Sequence, residues 1–271
     1  MTDNSEQCVG LIAGAGEVPI LIARKAAQNG TRVIAVSLSS DIAARLESHV
    51  HKNFSIGVGR VHKILKTLRS ENVSRLILAG KVEKSMVFKL QFFDMKTLKI
   101  LTGLISRQDK TILEKWISVA EEEGFTVLDQ KVFLKELFPG KGCLTRRQPS
   151  QNEMEDIEFG LPIAKYMADK EIGQTIIVKN KTVIAVEGVE GTDQAIARGC
   201  RLANGKCVAI KVSRTGQDFR YDCPGIGPQT VGSLAEGKAS VLALEAGNIM
   251  LIEKEKVLAL ADAAGISVIC V

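Results

Sequence analysis

Short apolar runs alternate with helix-period segments through the first half of the chain. CVGLIA (Cys8 to Ala13), TRVIAVSL, Phe54 to Val58 and SRLILAG ending at Gly80 have the length and bulk of buried strands, and Phe125 to Leu128 is a further short one. Between them, Gly14-Ala15-Gly16 opens a helix ending near Asn29, and the spacing predicts helices over Val61 to Arg69, Lys89 to Ile105 and Asp109 to Glu123. Strands and helices alternating in this way imply a Rossmann-like, doubly wound parallel sheet, whose ligands bind at the carboxyl ends of the strands.

Hydrophobic periodicity stops between Phe138 and Gln151, where PGKGCLTRRQPS is rich in Pro, Gly and polar residues. A boundary there gives an N-terminal domain over 1–138, a linker over 139–151 and a C-terminal α/β domain with a mixed sheet over 152–271. The second domain is expected to open with a helix across Asp156 to Ala168. Two β-branched runs joined by Asn180-Lys181 then read as a hairpin, and a helix with Thr192 as its N-cap runs to Ala203. Strand CVAIKV, helix Pro228 to Glu236, strands SVLALEA and IMLI, a helix from Lys254 to Ala264 and strand ISVICV complete the pattern.

Composition narrows the class without naming a reaction. Among 271 residues, 45% are hydrophobic and 25% charged, which excludes disorder as a global description. Aromatics are only 4%, so stacking platforms are sparse and nucleic-acid binding is not expected. The net charge of +5 suits a phosphorylated substrate or an anionic membrane surface without requiring either. Six scattered cysteines lack C-x-x-C spacing and read as reduced thiols, no apolar run reaches the length of a membrane span, and the N-terminus shows no leader pattern. A soluble cytoplasmic protein is expected. All three histidines, His49, His51 and His62, lie in the first quarter, so a metal in the second half would be held by oxygen, which selects magnesium or manganese over zinc.

Three segments offer chemistry. In Gly14-x-Gly16-x-x-Pro19, two glycines and a helix N-terminus suit a phosphate, or make only a tight turn; Pro19 replaces the third glycine of a dinucleotide fingerprint, which weakens an NAD reading. Glu187-Gly188-Val189-Glu190-Gly191-Thr192-Asp193 gathers three carboxylates in seven positions where a strand meets a helix, suiting a phosphate with its cation or serving only as a cap. In Gln217 to Thr230, an extended Asp218–Asp222 places Asp218, Arg220 and Asp222 on one face, followed by a loop with Gly225 and Gly227. A salt-bridged strand edge is the plainer reading. Lys81 after Gly80, and Gln108-Asp109 at a helix start, are weaker signals. Met86 to Phe93 is unusually apolar and suits core packing, an acyl-chain contact or a dimer surface.

On these residues the sequence resembles the LpxI family, the UDP-2,3-diacylglucosamine pyrophosphatases of lipid A biosynthesis. The resemblance runs through GLIAGAGEVPILIA, LILAGKV, EEEGFTVLD, VEGVEGTDQAI, QDFRYDCPGIGPQTV and LALEAGNIMLI; Arg107-Gln108-Asp109 and Arg214-Thr215-Gly216 depart from the family's usual Gly-Asp-Asp and Lys-Pro. It implies magnesium-dependent hydrolysis of the diphosphate to UMP and 2,3-diacylglucosamine 1-phosphate, by water attack at the β-phosphorus with the substrate between two domains. It further implies a homodimer in the cytoplasm, with transient contact at the inner face of the inner membrane. The family's catalytic aspartate falls on Asp222, with Asp218 and Arg220 beside it and Asp222, Asp218 and Glu190 as candidate metal ligands. Candidate substrate contacts are Gly14, Ala15, Gly16, Pro19, Gly80, Lys81, Gln108, Asp109, Gly191, Thr192, Asp193, Lys211, Gln217, Gly227 and Thr230. The rival readings are an NAD-linked oxidoreductase and a non-catalytic nucleotide-sugar or lipid binding protein.

Overall fold

The computed structural model describes residues 8–82 and 109–271, with the backbone alone over 109–112. The chain forms two compact units. The first runs to Leu134 and also takes in Phe219–Tyr221; the second comprises Lys135–Asp218 and Asp222–Val271.

In the first unit, β1 (Cys8–Ala13), β2 (Arg32–Ser37), β3 (Lys52–Ser55), β4 (Arg75–Ala79) and β5 (Thr126–Val127) form a parallel sheet in the order β3-β2-β1-β4-β5. Its helices are α1 (Val18–Gln28), α2 (Ser40–Leu46), α3 (Val61–Ser70), α4 (Asp109–Glu122) and α5 (Lys131–Leu134). Every residue of β1 is buried, which explains why CVGLIA is a continuous apolar run and not an alternating one: both faces of this central strand are covered. Ile12, Ile34, Val36, Leu76 and Leu78 pack with Ile64, Leu65 and Leu68 of α3 and with Trp116, Ile117 and Ala120 of α4. Leu11, Val33, Ala35 and Ile77 alternate with them and are also buried, and α1 packs against β1 and β2. The helix expected over Lys89 to Ile105 and the apolar stretch Met86 to Phe93 lie outside the described residues.

The second unit holds a mixed sheet of β6 (Gly142–Cys143), β7 (Thr175–Lys179), β8 (Thr182–Val186), β9 (Val208–Lys211), β11 (Val241–Leu244) and β13 (Ser267–Cys270), in the order β6-β13-β11-β9-β7-β8. β10 (Gly225–Ile226) and β12 (Met250–Leu251) pair separately. Within the stretch read as a linker, β6 pairs antiparallel with β13. Helix α6 (Gln151–Asp169) covers one face through Ile157, Ala164 and Ala168; α7 (Thr192–Ala203), α8 (Pro228–Glu236) and α9 (Lys254–Ala263) cover the other through Ile196, Leu234 and Val257.

Local chemistry sets the ends of these elements. Helix α6 starts earlier than its apolar period suggests because Ser150 and Glu153 form a capping box, each side chain accepting the other's backbone N–H. The β7–β8 turn puts Asn180 and Lys181 at φ 51° and 54°, and the Asp156 carboxylate accepts both of their N–H groups. The N-cap of α7 is Gly191, at φ 82°, and not Thr192 as expected. Thr192 begins the helix proper because its hydroxyl is engaged elsewhere, with Glu187 and Lys211.

Candidate active site

At the carboxyl edge of the first sheet, the β1–α1 turn is laced to the end of β4. Gly14 N–H donates to Ala79 O, and Ala15 and Lys81 exchange two N–H···O bonds, all at 2.8 Å. A Cβ on Gly14 would lie 2.5 Å from Lys81 O, and one on Gly80, at φ +87°, would lie 2.7 Å from Ala15 O. These glycines therefore let two strand-end loops touch. The N–H groups of Gly14 and Ala15 are committed to protein carbonyls, which removes them from the phosphate cradle expected of them. Gly16, at φ +109°, borders open space, and Pro19 is buried in the first turn of α1. Lys81 is exposed beside them. Gln108 and the side chain of Asp109 lie outside the described residues.

In the second unit the site is built around Lys211, the last residue of β9. Strand alternation turns it to the α7 face, where it is 4% exposed. Its Nζ donates to Thr192 Oγ1 at 2.8 Å and to Thr175 Oγ1 at 3.2 Å, with Glu187 Oε2 at 3.9 Å. Thr192 Oγ1 in turn donates to Glu187 Oε1 at 2.9 Å. Burial pushes the Lys211 ammonium below the usual lysine range, and the charges of Glu187, Asp193 and Asp222 pull it partly back. With two hydroxyls and a carboxylate around it, Lys211 is a hub joining β7, β9 and α7. Asp193 accepts from Thr230 Oγ1 at 2.8 Å, linking α7 to α8, whose N-cap is Gly227.

The segment holding Asp222 departs from the extended strand expected of it. Asp222 N–H donates to Asp218 O at 3.1 Å, closing a five-residue turn, so the two-residue alternation that would align Asp218, Arg220 and Asp222 does not exist. Arg220 pairs with Glu121 at 3.0 Å and Tyr221 OH bonds Glu114 at 3.2 Å, both within the first unit. Asp222 instead meets Arg214 and Gln217. Arg214 Nη2 donates to Asp222 Oδ2 at 2.7 Å, and Gln217 Nε2 donates to the same oxygen and to Asp222 O, each at 2.8 Å. Oδ1 has no hydrogen-bond partner among the described residues. Asp222 and Arg214, with Ala168, Glu171, Gly173 and Gln174, line a cavity of about 180 Å³.

The loop after β9 that carries Arg214 is anchored from behind. Lys165 Nζ donates to Glu245 Oε1 at 2.7 Å and to Ser213 O at 2.9 Å, while Ser213 N and Oγ both donate to Glu245 Oε2 at 2.7 Å. Burial works to raise the Glu245 carboxyl, but the Lys165 and Ser213 bonds bring it below the usual range.

The expected metal set does not assemble. Glu190 is engaged by Arg198 and by Gly188 N–H, and no group of three or more His, Cys, Asp or Glu side chains suited to a metal gathers among the described residues. Gln174 and Thr175, which help complete the Asp222 and Lys211 clusters, belong to no motif and meet the motif residues only through the pairing of β7 with β9, whereas Arg214 lies three residues before Gln217, in the Arg214-Thr215-Gly216 stretch that departs from the family pattern.

The LpxI N-terminal domain model matches residues 8–137, and the LpxI C-terminal domain model matches residues 140–269. The chain belongs to the LpxI family. A relative from Caulobacter vibrioides (strain ATCC 19089 / CIP 103742 / CB 15), described as UDP-2,3-diacylglucosamine pyrophosphatase LpxI, is 30% identical over 272 residues, spanning 96% of each chain. Likeness to solved structures is slight. The biotin carboxylase domain of Hydrogenobacter thermophilus 2-oxoglutarate carboxylase has a TM-score of 0.28 and 15% identity over 73% of this chain and 41% of that one. For N5-carboxyaminoimidazole synthetase from Staphylococcus aureus, the TM-score is 0.25 and the identity 14%, over 64% of this chain and 41% of that one. In this LpxI-family chain, VEGVEGTDQAI and QDFRYDCPGIGPQTV are the segments that supply Thr192 to the Lys211 hub and Asp222 to its clamp.

Proposed function

We propose that the chain hydrolyses the diphosphate of UDP-2,3-diacylglucosamine to UMP and 2,3-diacylglucosamine 1-phosphate, a step of lipid A biosynthesis. The 96% coverage of a relative carrying that activity in its name supports the substrate. The observation that carries the chemistry is Asp222, whose Oδ2 is held by two donors while Oδ1 stays open beside a cavity. A carboxylate oxygen in that state can orient a water and accept its proton. The water oxygen bonds to the β-phosphorus, the bond from that phosphorus to the bridging oxygen breaks, and the bridging oxygen leaves with UMP.

Of the carboxylates assigned to magnesium, Glu190 is engaged by Arg198 and by Gly188 N–H, whereas Asp222 would hold the ion through Oδ1. Such an ion supplies charge neutralisation on the diphosphate. A homodimer and transient contact with the inner face of the inner membrane belong to the same proposal and rest on the family and the lipid substrate. The NAD-linked alternative is disfavoured because Gly14 and Ala15 N–H groups are engaged by carbonyls.

The deciding experiment measures UMP release from UDP-2,3-diacylglucosamine by the full chain, with magnesium and after chelation, and by Asp222→Ala. Turnover that falls on chelation, returns with magnesium and disappears in D222A is expected. Full activity in D222A would sink the assignment of Asp222, and tight substrate binding without UMP release under any divalent ion would favour a binding protein.

A further inference from the structure

We infer that Arg214 and Gln217 are positioning residues for Asp222, locking its carboxylate so that Oδ1 alone is presented for reaction. This rests on the assignment of Asp222 above and adds the device that makes it effective.

An exposed carboxylate rotates freely about its Cβ–Cγ bond, exchanging its two oxygens. Asp222 is 46% exposed, yet both donors converge on Oδ2, so rotation would break two bonds at once. One of those donors is itself anchored: the Arg214 side chain is 16% exposed. Its Nη1 meets Glu171 Oε1 at 3.4 Å, while its Nε and backbone N–H donate to Gln217 Oε1 at 3.1 and 3.3 Å.

Gln217 is fixed with equal definition. Its amide oxygen accepts from Arg214 and from Gln174 Nε2, the latter at 3.1 Å, and its amide nitrogen faces two Asp222 oxygens. Donors surround one end and acceptors the other, so the amide cannot flip without losing every bond. The Asp222 main chain is held as well, its N–H by Asp218 O and its C=O by Gln217.

Each of the three guanidinium nitrogens of Arg214 already donates to a carboxylate or amide oxygen, an arrangement that orients the Asp222 carboxylate. Its effect on turnover passes through Asp222.

The test uses the full chain, with kcat and KM for UMP release measured in Arg214→Met, Arg214→Lys, Gln217→Ala, Asp222→Asn and the R214M/D222N double variant, each checked for folding by thermal melting. A fall in kcat of roughly 10- to 100-fold in R214M, with KM within about twofold, is expected from a misplaced reacting group. R214K, which retains a cationic donor, should recover part of that loss, and Q217A should fall in kcat in the same way. In the double variant the R214M loss should vanish, because its target is already gone. A raised KM with unchanged kcat, or a full further loss on top of D222N, would overturn the inference. Full activity in D222N would instead overturn the assignment of Asp222 itself. If R214M does not fold, R214K and Q217A carry the same discrimination.

Discussion

Lys211 donates from Nζ to Thr192 Oγ1 at 2.8 Å in a setting that leaves the lysine almost no contact with solvent. Burial is the largest influence on it and lowers its proton affinity below the unfolded value of 10.5. Between the folded and unfolded values the unfolded chain therefore binds more protons, so the contribution of this group to stability rises with pH. Urea unfolding of wild type and Lys211→Met at several values from about pH 7 to pH 10 should show the difference moving in favour of wild type as pH increases. A pH-independent difference would contradict the depressed affinity.

Gly80 binds the first unit's site together. A side chain there would combine a positive φ of +87° with a Cβ 2.7 Å from a backbone oxygen that cannot swing aside. Gly80→Ala should cost about 2 kcal/mol or more, read as a lower denaturant midpoint with an unchanged slope. Gly16→Ala, at a positive φ but with open space around it, should cost less. Equal losses in the two variants would mean that the contact between the β1 and β4 loops is not what requires Gly80.

Four of the six cysteines, Cys8, Cys200, Cys207 and Cys270, are buried, and none is in a disulfide. The Cys207 thiol donates to Cys200 Sγ at 3.5 Å, and this bond and burial push it well above the ordinary range; burial pushes Cys270 up to about 11. A thiol reagent at pH 8 should modify at most Cys143 and Cys223 rapidly in the native protein and all six after denaturation. Mass mapping that found Cys207 or Cys270 labelled first would contradict this.

Most of the fold was legible because buried parallel strands leave continuous apolar runs: CVGLIA, TRVIAVSL and SRLILAG become β1, β2 and β4 within a residue or two. The hairpin was legible because Asn180-Lys181 adopts the positive φ its turn demands. The Asp222 clamp was not. Periodicity treats Asp218–Asp222 as extended, whereas the turn is closed by a single backbone bond that no side-chain pattern announces. Gln174 reaches Gln217 across 43 residues, a long-range contact invisible to local spacing, and Arg214, 8 residues before Asp222, meets it because the intervening segment folds back. Thr192 misled for a related reason: a residue suited to capping was recruited by Lys211, and Gly191 took the cap.

Arg147 and Glu153 provide the acid-side counterpart of the lysine argument. Burial of Glu153, whose side chain is 14% exposed, acts to raise its carboxyl. Two bonds from Arg147 Nη2, at 2.7 and 2.8 Å, and the Ser150 N–H outweigh it, so the folded value lies below the unfolded 4.5. The resulting stabilisation is present above about pH 4.5 and is lost as pH falls through the depressed folded value. Arg147→Met should therefore cost about 1–3 kcal/mol at neutral pH. The cost should shrink as the pH falls below 4.5 towards the depressed folded value of Glu153. Arg147 also donates to Ser240 O and Ser267 Oγ, bonds that do not titrate in this range. Denaturant melts at pH 7 and at about pH 3.5 separate the two contributions: a loss that shrinks in acid identifies the ion pair, whereas an equal loss at both would assign the effect to the neutral bonds and contradict the prediction.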